Sequence, residues 1–356
     1  CVLSALLSVV FYAKHQDWGI RITRDTVVRE LGSVMETSHF FIYYDADAMT
    51  KQEAVLLAQD HEFRYAQMQA FFQLDPVAIA QKKLTSFVYR DREQKGRLLG
   101  SKRTLIAKIW LREMHLLQGS FGDHHLAHEL AHLFTIPFAK GPLKLSMQDG
   151  WRINMGLVEG IATAADWRPD EMTPHQASAA MQELGIAPEL QRLFRASAFW
   201  TQPSRKVYTL MGSFVRFLID QYGSDAFRSA YGDASFQAVY QKSVEELLAE
   251  WNRYLQDHIT LQEHQRTIAK FRYSKPSIFG KRCARALASV RMEAKQWETQ
   301  HAWRRARNCY QEILRDDPDR IDDALALIRT FIAERAFFQA QKQIEQLQER
   351  VESVIY

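Results

Sequence analysis

Cysteine is scarce in this 356-residue chain: Cys1, Cys283 and Cys309 are its whole complement. Three thiols so widely spaced make neither a disulfide framework nor a zinc ribbon. In an oxidising compartment Cys283 and Cys309, on neighbouring expected helices, can form one bridge; otherwise they are two ordinary buried thiols. An excess of one charge is also missing. Forty-six Lys plus Arg against 42 Asp plus Glu leave a net charge of +4, without the concentrated basic field of a nucleic-acid binder, so no nucleic acid is expected as a partner. A full membrane-spanning run is absent at the start of the chain, where Cys1 to Ala13 reads CVLSALLSVVFYA, thirteen residues without a charge, against the ~20 a bilayer span needs. That stretch reads as the end of a truncated membrane anchor or as a buried strand or helix. A lipidated cysteine is disfavoured, because an apolar run rather than a polar tether follows it. Membrane attachment is accordingly expected at residues 1–37, taken as an apolar segment and linker.

What is present is the composition of a globular protein, 47% hydrophobic and 25% charged, long enough for two or three structural units. HFFIYYD from His39 suits a strand, and Thr50 to Phe72 turns helical, with Val55, Leu56, Phe63 and Phe71 on helix-like spacing. Lys83 to Arg90, Thr104 to Trp110 and Glu113 to Leu117 are the next strand candidates. From Asp123 the pattern becomes mostly helical: His124 to Thr135, Met155 to Ala165, Pro174 to Leu184, Leu210 to Tyr222, Ser224 to Tyr231 and Val244 to His258. Lys270 to Lys281, basic and broken by Pro276 and Gly280, marks a domain boundary, with one domain over 38–270 and another over 275–356.

The chemistry sits in residues 124 to 134, HHLAHELAHLF. His128, Glu129 and His132 form H-E-x-x-H. Positions i and i+4 lie one turn apart on one helix face, so both imidazoles can converge on one ion while the Glu stands beside its open position. Leu130, Ala131, Leu133 and Phe134 make the surroundings apolar, as a buried metal-binding helix requires. His124 lies one turn before His128, but only His128 and His132 bracket the base; His124 and His125 suit the helix start. His61 has no partner one turn on and reads as a surface or core histidine.

A catalytic zinc site takes three protein ligands. Glu159, in GLVEGIA, is an acidic residue in an apolar helix among Gly156, Gly160 and Ala162, small residues that admit a close neighbour. A lone buried carboxylate is costly, and a metal ion supplies the missing charge. Asp149, in a turn-like loop, and Asp166, seven residues beyond Glu159, compete for the role; Asp166 also suits acceptance of an imidazole N–H.

HELAH, followed after 26 residues by Glu159 and then by YTLMGSFVRFLIDQYG, resembles the gluzincin zinc metallopeptidases, in particular the peptidase-MA-like bacterial proteins, many of them attached to a membrane. The likeness runs from about His39 to His258. It implies an α+β fold, a small mixed sheet plus metal-binding helices and then mostly helix, and a zinc peptidase with His128, His132 and Glu159 as ligands and Glu129 as general base. It further implies Tyr208, four residues ahead of Gly212, as an oxyanion donor, with Tyr222 less apt at the far end of that helix. A substrate bound extended as an added strand along Glu113 to Leu117 is implied too, as is an extracytoplasmic catalytic domain. The Gly-Ala-Met-Glu-Asn segment of the clan's aminopeptidases is lacking, so aminopeptidase activity does not carry over. Near the C-terminus, Ala306, Tyr310 and Ile313 recur as Ala340, Ile344 and Leu347, an offset of 34 residues. That period resembles the tetratricopeptide helix pair, a place for a protein partner, although a plain helical hairpin fits as well. The competing reading from another class is a catalytically silent, membrane-tethered scaffold that recruits through this end.

Overall fold

The computed structural model describes residues 22–102, 104–119, 122, 124–167, 172–195, 199, 201–274, 284–316 and 320–355. Cys283 and the apolar run Cys1 to Ala13 lie outside these, and with them the expected bridge and membrane attachment. Cys309 carries a buried, free thiol. No helix among the described residues is long and apolar enough to cross a membrane.

The fold is mixed α+β. Helix α1 (Arg24–Leu31) starts on the Thr23 cap and ends at Gly32, whose φ of 75° suits glycine. It leads into β1 (Gly32–Glu36) and β2 (Phe40–Asp45). Thus 24–36, expected to be linker, forms a helix packed on the sheet and then one of its strands. Helix α2 (Lys51–Phe72) opens with a Thr50/Glu53 capping box, and the short α3 (Pro76–Ala80) follows. Next come β3 (Leu84–Tyr89), α4 (Arg92–Leu99) on its Asp91 cap, β4 (Ile106–Lys108) and β5 (Glu113–Leu117). The strand expected over Thr104 to Trp110 shrinks to three residues because the chain coils into a 3-10 turn at Ile109–Leu111.

The strands order as β1-β2-β3-β5-β4. β2, β3 and β5 run parallel, and the outer strands are antiparallel to their neighbours. One face carries α2, where the Ser86 hydroxyl of β3 donates to His61 Nε2 at 3.0 Å and His61 Nδ1–H donates to the Leu57 carbonyl at 2.8 Å. The other face packs Phe87 and Tyr89 against Val27, Leu31 and Leu98 of α1 and α4. Helix α2 does not bury the residues its large side chains suggest. Val55, Leu56 and Phe63 are exposed, Phe63 by 56%, whereas Ala54, Ala58, Asp60, His61, Tyr65, Met68 and Phe72 face inward. Toward the start of the helix the buried positions are small or polar, Ala54, Ala58, Asp60 and His61, and large side chains, Tyr65, Met68 and Phe72, fill the face only further on.

After β5 come α5 (His124–Phe134), the two-residue strands β6 (Met147–Gln148) and β7 (Arg152–Ile153), α6 (Met155–Ala165), α7 (Pro174–Glu183) and α8 (Ser204–Tyr222). Helix α8 begins about two turns before the expected Leu210, so Tyr208 lies on it rather than ahead of it. Then follow α9 (Ser224–Tyr231), α10 (Phe236–Tyr240), α11 (Val244–His258) and α12 (Glu263–Tyr273). The chain ends in α13 (Ala284–Thr299), α14 (Trp303–Asp316), α15 (Ile321–Ala333) and α16 (Phe337–Ile355).

Two compact units emerge. The first gathers the described residues up to Ala179 with Glu189–Phe199 and Val207–Thr260; the second holds Ala180–Pro188, 201–206 and the chain from Leu261 on. In the second unit α13 to α16 surround an apolar cluster that includes Ala306, Tyr310, Ile313 and Ala340, with Leu347 packed against it. Of the 34-residue equivalents only Ile344 stands out, 40% exposed.

Candidate metal centre

Helix α5 supplies two of the three candidate ligands. Leu126, Ala127, Leu130, Ala131, Leu133 and Phe134 are buried around it, and Glu129 and His132 are buried with them. Helix α6 supplies the third. Asn154 caps α6, its Oδ1 accepting the Leu157 N–H at 3.1 Å, and Glu159 follows one turn on.

Glycines fix how α6 meets α8. A Cβ on Gly160 would lie 3.0 Å from the Met211 carbonyl, and one on Gly212 would lie 2.4 Å from Thr163 Cγ2. Backbone therefore approaches backbone where no larger residue fits. Thr163 is one turn beyond Glu159, and Gly212 is one turn beyond Tyr208, so this crossing brings the Tyr208 phenol close enough to Glu159 to stabilise its charge. The Tyr208 ring also stacks on His128, centroids 6.2 Å apart.

Among the described residues, His128, His132 and Glu159 form the one group of three or more such side chains with ligand atoms all within 4.8 Å of one another. Glu159 Oε2 is 3.4 Å from His128 Nε2 and 3.7 Å from His132 Nε2. Tetrahedral ligands about 2.0 to 2.1 Å from a zinc ion stand roughly 3.3 to 3.4 Å apart. The spacing fits that demand, and two imidazoles with one carboxylate are donors zinc accepts.

The electrostatics sharpen the picture. Burial pushes Glu129 up to about 7; Glu159 adds to this and the neighbouring His128 opposes it. Burial drives His132 down to about 4, a neutral imidazole with a lone pair to give. Burial, the largest single effect, works against charge on His128, but Glu159, Glu129 and Asp166 together outweigh it and the net direction is up. Glu159 moves down despite its burial, because His128, His132 and Tyr208 stabilise its charge. Burial, then Glu159 and Glu129, raise the Tyr208 phenol, which stays protonated.

The remaining named residues fall elsewhere. Asp166 ends α6 and acts electrostatically on His128. Asp149 turns the β6–β7 hairpin with φ of 55° beside Gly150 at 77°, exposed and paired with Arg152 at 3.5 Å. His125 is exposed one turn before Glu129, and the His124 side chain lies outside the described set. His61 is fully buried. Tyr222 bonds Glu250 and Lys242.

Two participants carry no motif. Lys95 on α4 is 0% exposed, its ammonium donating to the carbonyls of Ser101, at 3.1 Å, and Thr104; its charge reaches Glu129. Gly212 is the other, legible in sequence only as a glycine inside a helix. The strand expected to take a substrate is also corrected: β5 pairs with β3 on one side and, over Glu113 to His115, with β4 on the other. Its backbone groups there are already used, so β4 is the edge and β5 is open only at Leu116 and Leu117.

No family model matches the chain, and no curated protein matches it in sequence.

Proposed function

We propose that this chain is a zinc-dependent peptidase of the gluzincin kind, with His128, His132 and Glu159 as ligands. One observation carries the reading: the Glu159 oxygen, from another helix, stands 3.4 and 3.7 Å from the two imidazoles of H-E-x-x-H, with Glu129 buried beside them. When bound, zinc supplies Lewis acidity, lowering the pKa of water toward ~7 and polarising a carbonyl. Glu129, held near neutrality by its burial, takes a proton from the attacking water as the C–O bond forms. It returns that proton to the leaving amine as the C–N bond breaks. The Tyr208 hydroxyl, protonated throughout, leaves Glu159 to donate to the developing oxyanion. Asp166 lies electrostatically close to His128 and raises its basicity, which favours the ring as a donor to the ion. Apolar side chains around α5 keep bulk water from these groups.

Metal analysis beside a peptide assay tests this. Glu129→Gln should retain one zinc per chain and lose about 10²- to 10⁴-fold in kcat, the span of general acid–base catalysis. Undiminished hydrolysis by the zinc-loaded variant would refute the role of Glu129. His132→Ala should lose the zinc as well.

A further inference from the structure

We propose that this chain pairs with a second copy of itself through α15, the two helices lying antiparallel about a two-fold axis that passes close to Leu325. One side of α15 is already used: Ala326, Leu327, Ile328 and Phe331 are buried in the apolar cluster of the second unit. The other side is open. Ile321, Leu325 and Ile332 are 52, 44 and 47% exposed. At 3.6 residues per turn those three share an arc of about 40°, and the exposed Asp322 and Arg329 lie together along one flank of it.

A helix face turned to water normally carries polar side chains, so an apolar stripe there calls for a cover. The order of its residues says which. Ile321 with Ile332, and Asp322 with Arg329, straddle one midpoint, beside Leu325. A two-fold axis perpendicular to the helix reverses the chain direction and keeps each flank on its own side, giving an interface in which the same patch meets itself. It sets Leu325 against the other copy's Leu325, each Ile321 near an Ile332, and each Asp322 level with an Arg329. A parallel pair would instead oppose like charges.

The charges have no such use within one chain. Asp322 and Arg329 are seven residues apart, about 10 Å along the helix, too far to pair. Arg291 and Arg320, at the same end of α15 as Asp322, both bind Asp323 instead. A pattern that reads alike from both directions fits one partner above others, the same helix reversed. The second unit is then a device for self-association rather than for recruiting a different protein. This pairing depends on neither zinc nor the peptidase reading. One short helix from each copy makes a small interface, for which micromolar association is expected.

Sedimentation velocity of the full chain from about 1 to about 200 μM tests it. Wild type should pass from monomer to dimer across that range. Asp322→Arg and Arg329→Asp should each weaken association by about 10-fold, because symmetry turns two attractive pairs into two repulsive ones. Mixing the two variants in equal amounts should restore the dimer, since every Arg again faces an Asp, and recovery shows that both variants fold. The double variant, Asp322→Arg with Arg329→Asp, should match wild type. Leu325→Asp, which sets two carboxylates face to face, should abolish the dimer. A wild type that stays monomeric at the top of the range, a dimer indifferent to both charge reversals, or a loss that mixing does not repair would overturn the pairing.

Discussion

The two units bury different things. The first encloses His61, His115, Glu129, His132 and His175, ionisable side chains that folding withdraws from water. The cluster at the centre of the second is apolar apart from the Tyr310 hydroxyl and the Cys309 thiol. Its buried charge, Asp323, lies beside it, bound at once by Arg291 and Arg320 at 2.5 and 2.6 Å. A carboxylate neutralised on both sides holds helices together. Two imidazoles withdrawn from water around one carboxylate have the donor set that the proposed ion requires. The contrast separates polar burial that stabilises from polar burial that prepares chemistry.

Acid should break the symmetry most. Burial holds His61 at about 4, against an ordinary 6.5, so between those values the unfolded chain binds the extra proton and stability falls as pH falls. For this fully buried ring the loss is roughly 3 kcal/mol; His61→Gln should remove that share, while His132 and His175, held at about 4 by burial, and His115, at about 3, keep the first unit acid-sensitive. The second unit should hold until lower pH: Asp323, pulled below its ordinary 3.8 by its two arginines against the opposing effect of burial, contributes stability that goes only as pH drops through that depressed value. Hydrogen exchange of metal-free protein, followed segment by segment, reads each unit; simultaneous loss near pH 5 would erase the distinction.

Zinc should sharpen it next. At a hundredfold excess over Kd, binding stabilises the first unit by about 2.7 kcal/mol and leaves exchange in α13 to α16 unchanged; protection of both units alike would place the ion elsewhere. Gly212→Ala should cost the first unit about 1 to 3 kcal/mol by overpacking against Thr163 and weaken zinc retention as α8 is pushed from α6. Chemical denaturation and metal content check both effects. The smallest effect belongs to the second unit. Asp323→Asn should destabilise it by about 1 kcal/mol, since both arginines are about a third exposed and screened by water, with hydrolysis and zinc content unaltered.

Several features the sequence reading passed over left local marks. Helix α1 carries a Thr23 cap and a closing Gly32, and α4 has Asp91 and Gly100 in the same roles; charged, moderately amphipathic stretches hid both. On α2 the error has another origin. Periodicity among large apolar residues picks a face with no knowledge of what packs there, and His61 lies on the buried side where β3 offers it the Ser86 hydroxyl. Similarly, nothing in Glu113 to Leu117 distinguishes an interior strand from an edge.

Local order along the chain determined that His128, Glu129 and His132 share a helix face, because a turn of 3.6 residues is set by backbone geometry alone. It also fixed the apolar character of that helix and the small residues flanking Glu159. Only the tertiary structure decided that Glu159 reaches those imidazoles and that Tyr208 is delivered by a crossing too tight for any side chain at Gly212. Those facts depend on contacts between residues distant in sequence, where packing and desolvation, rather than spacing, select the partner.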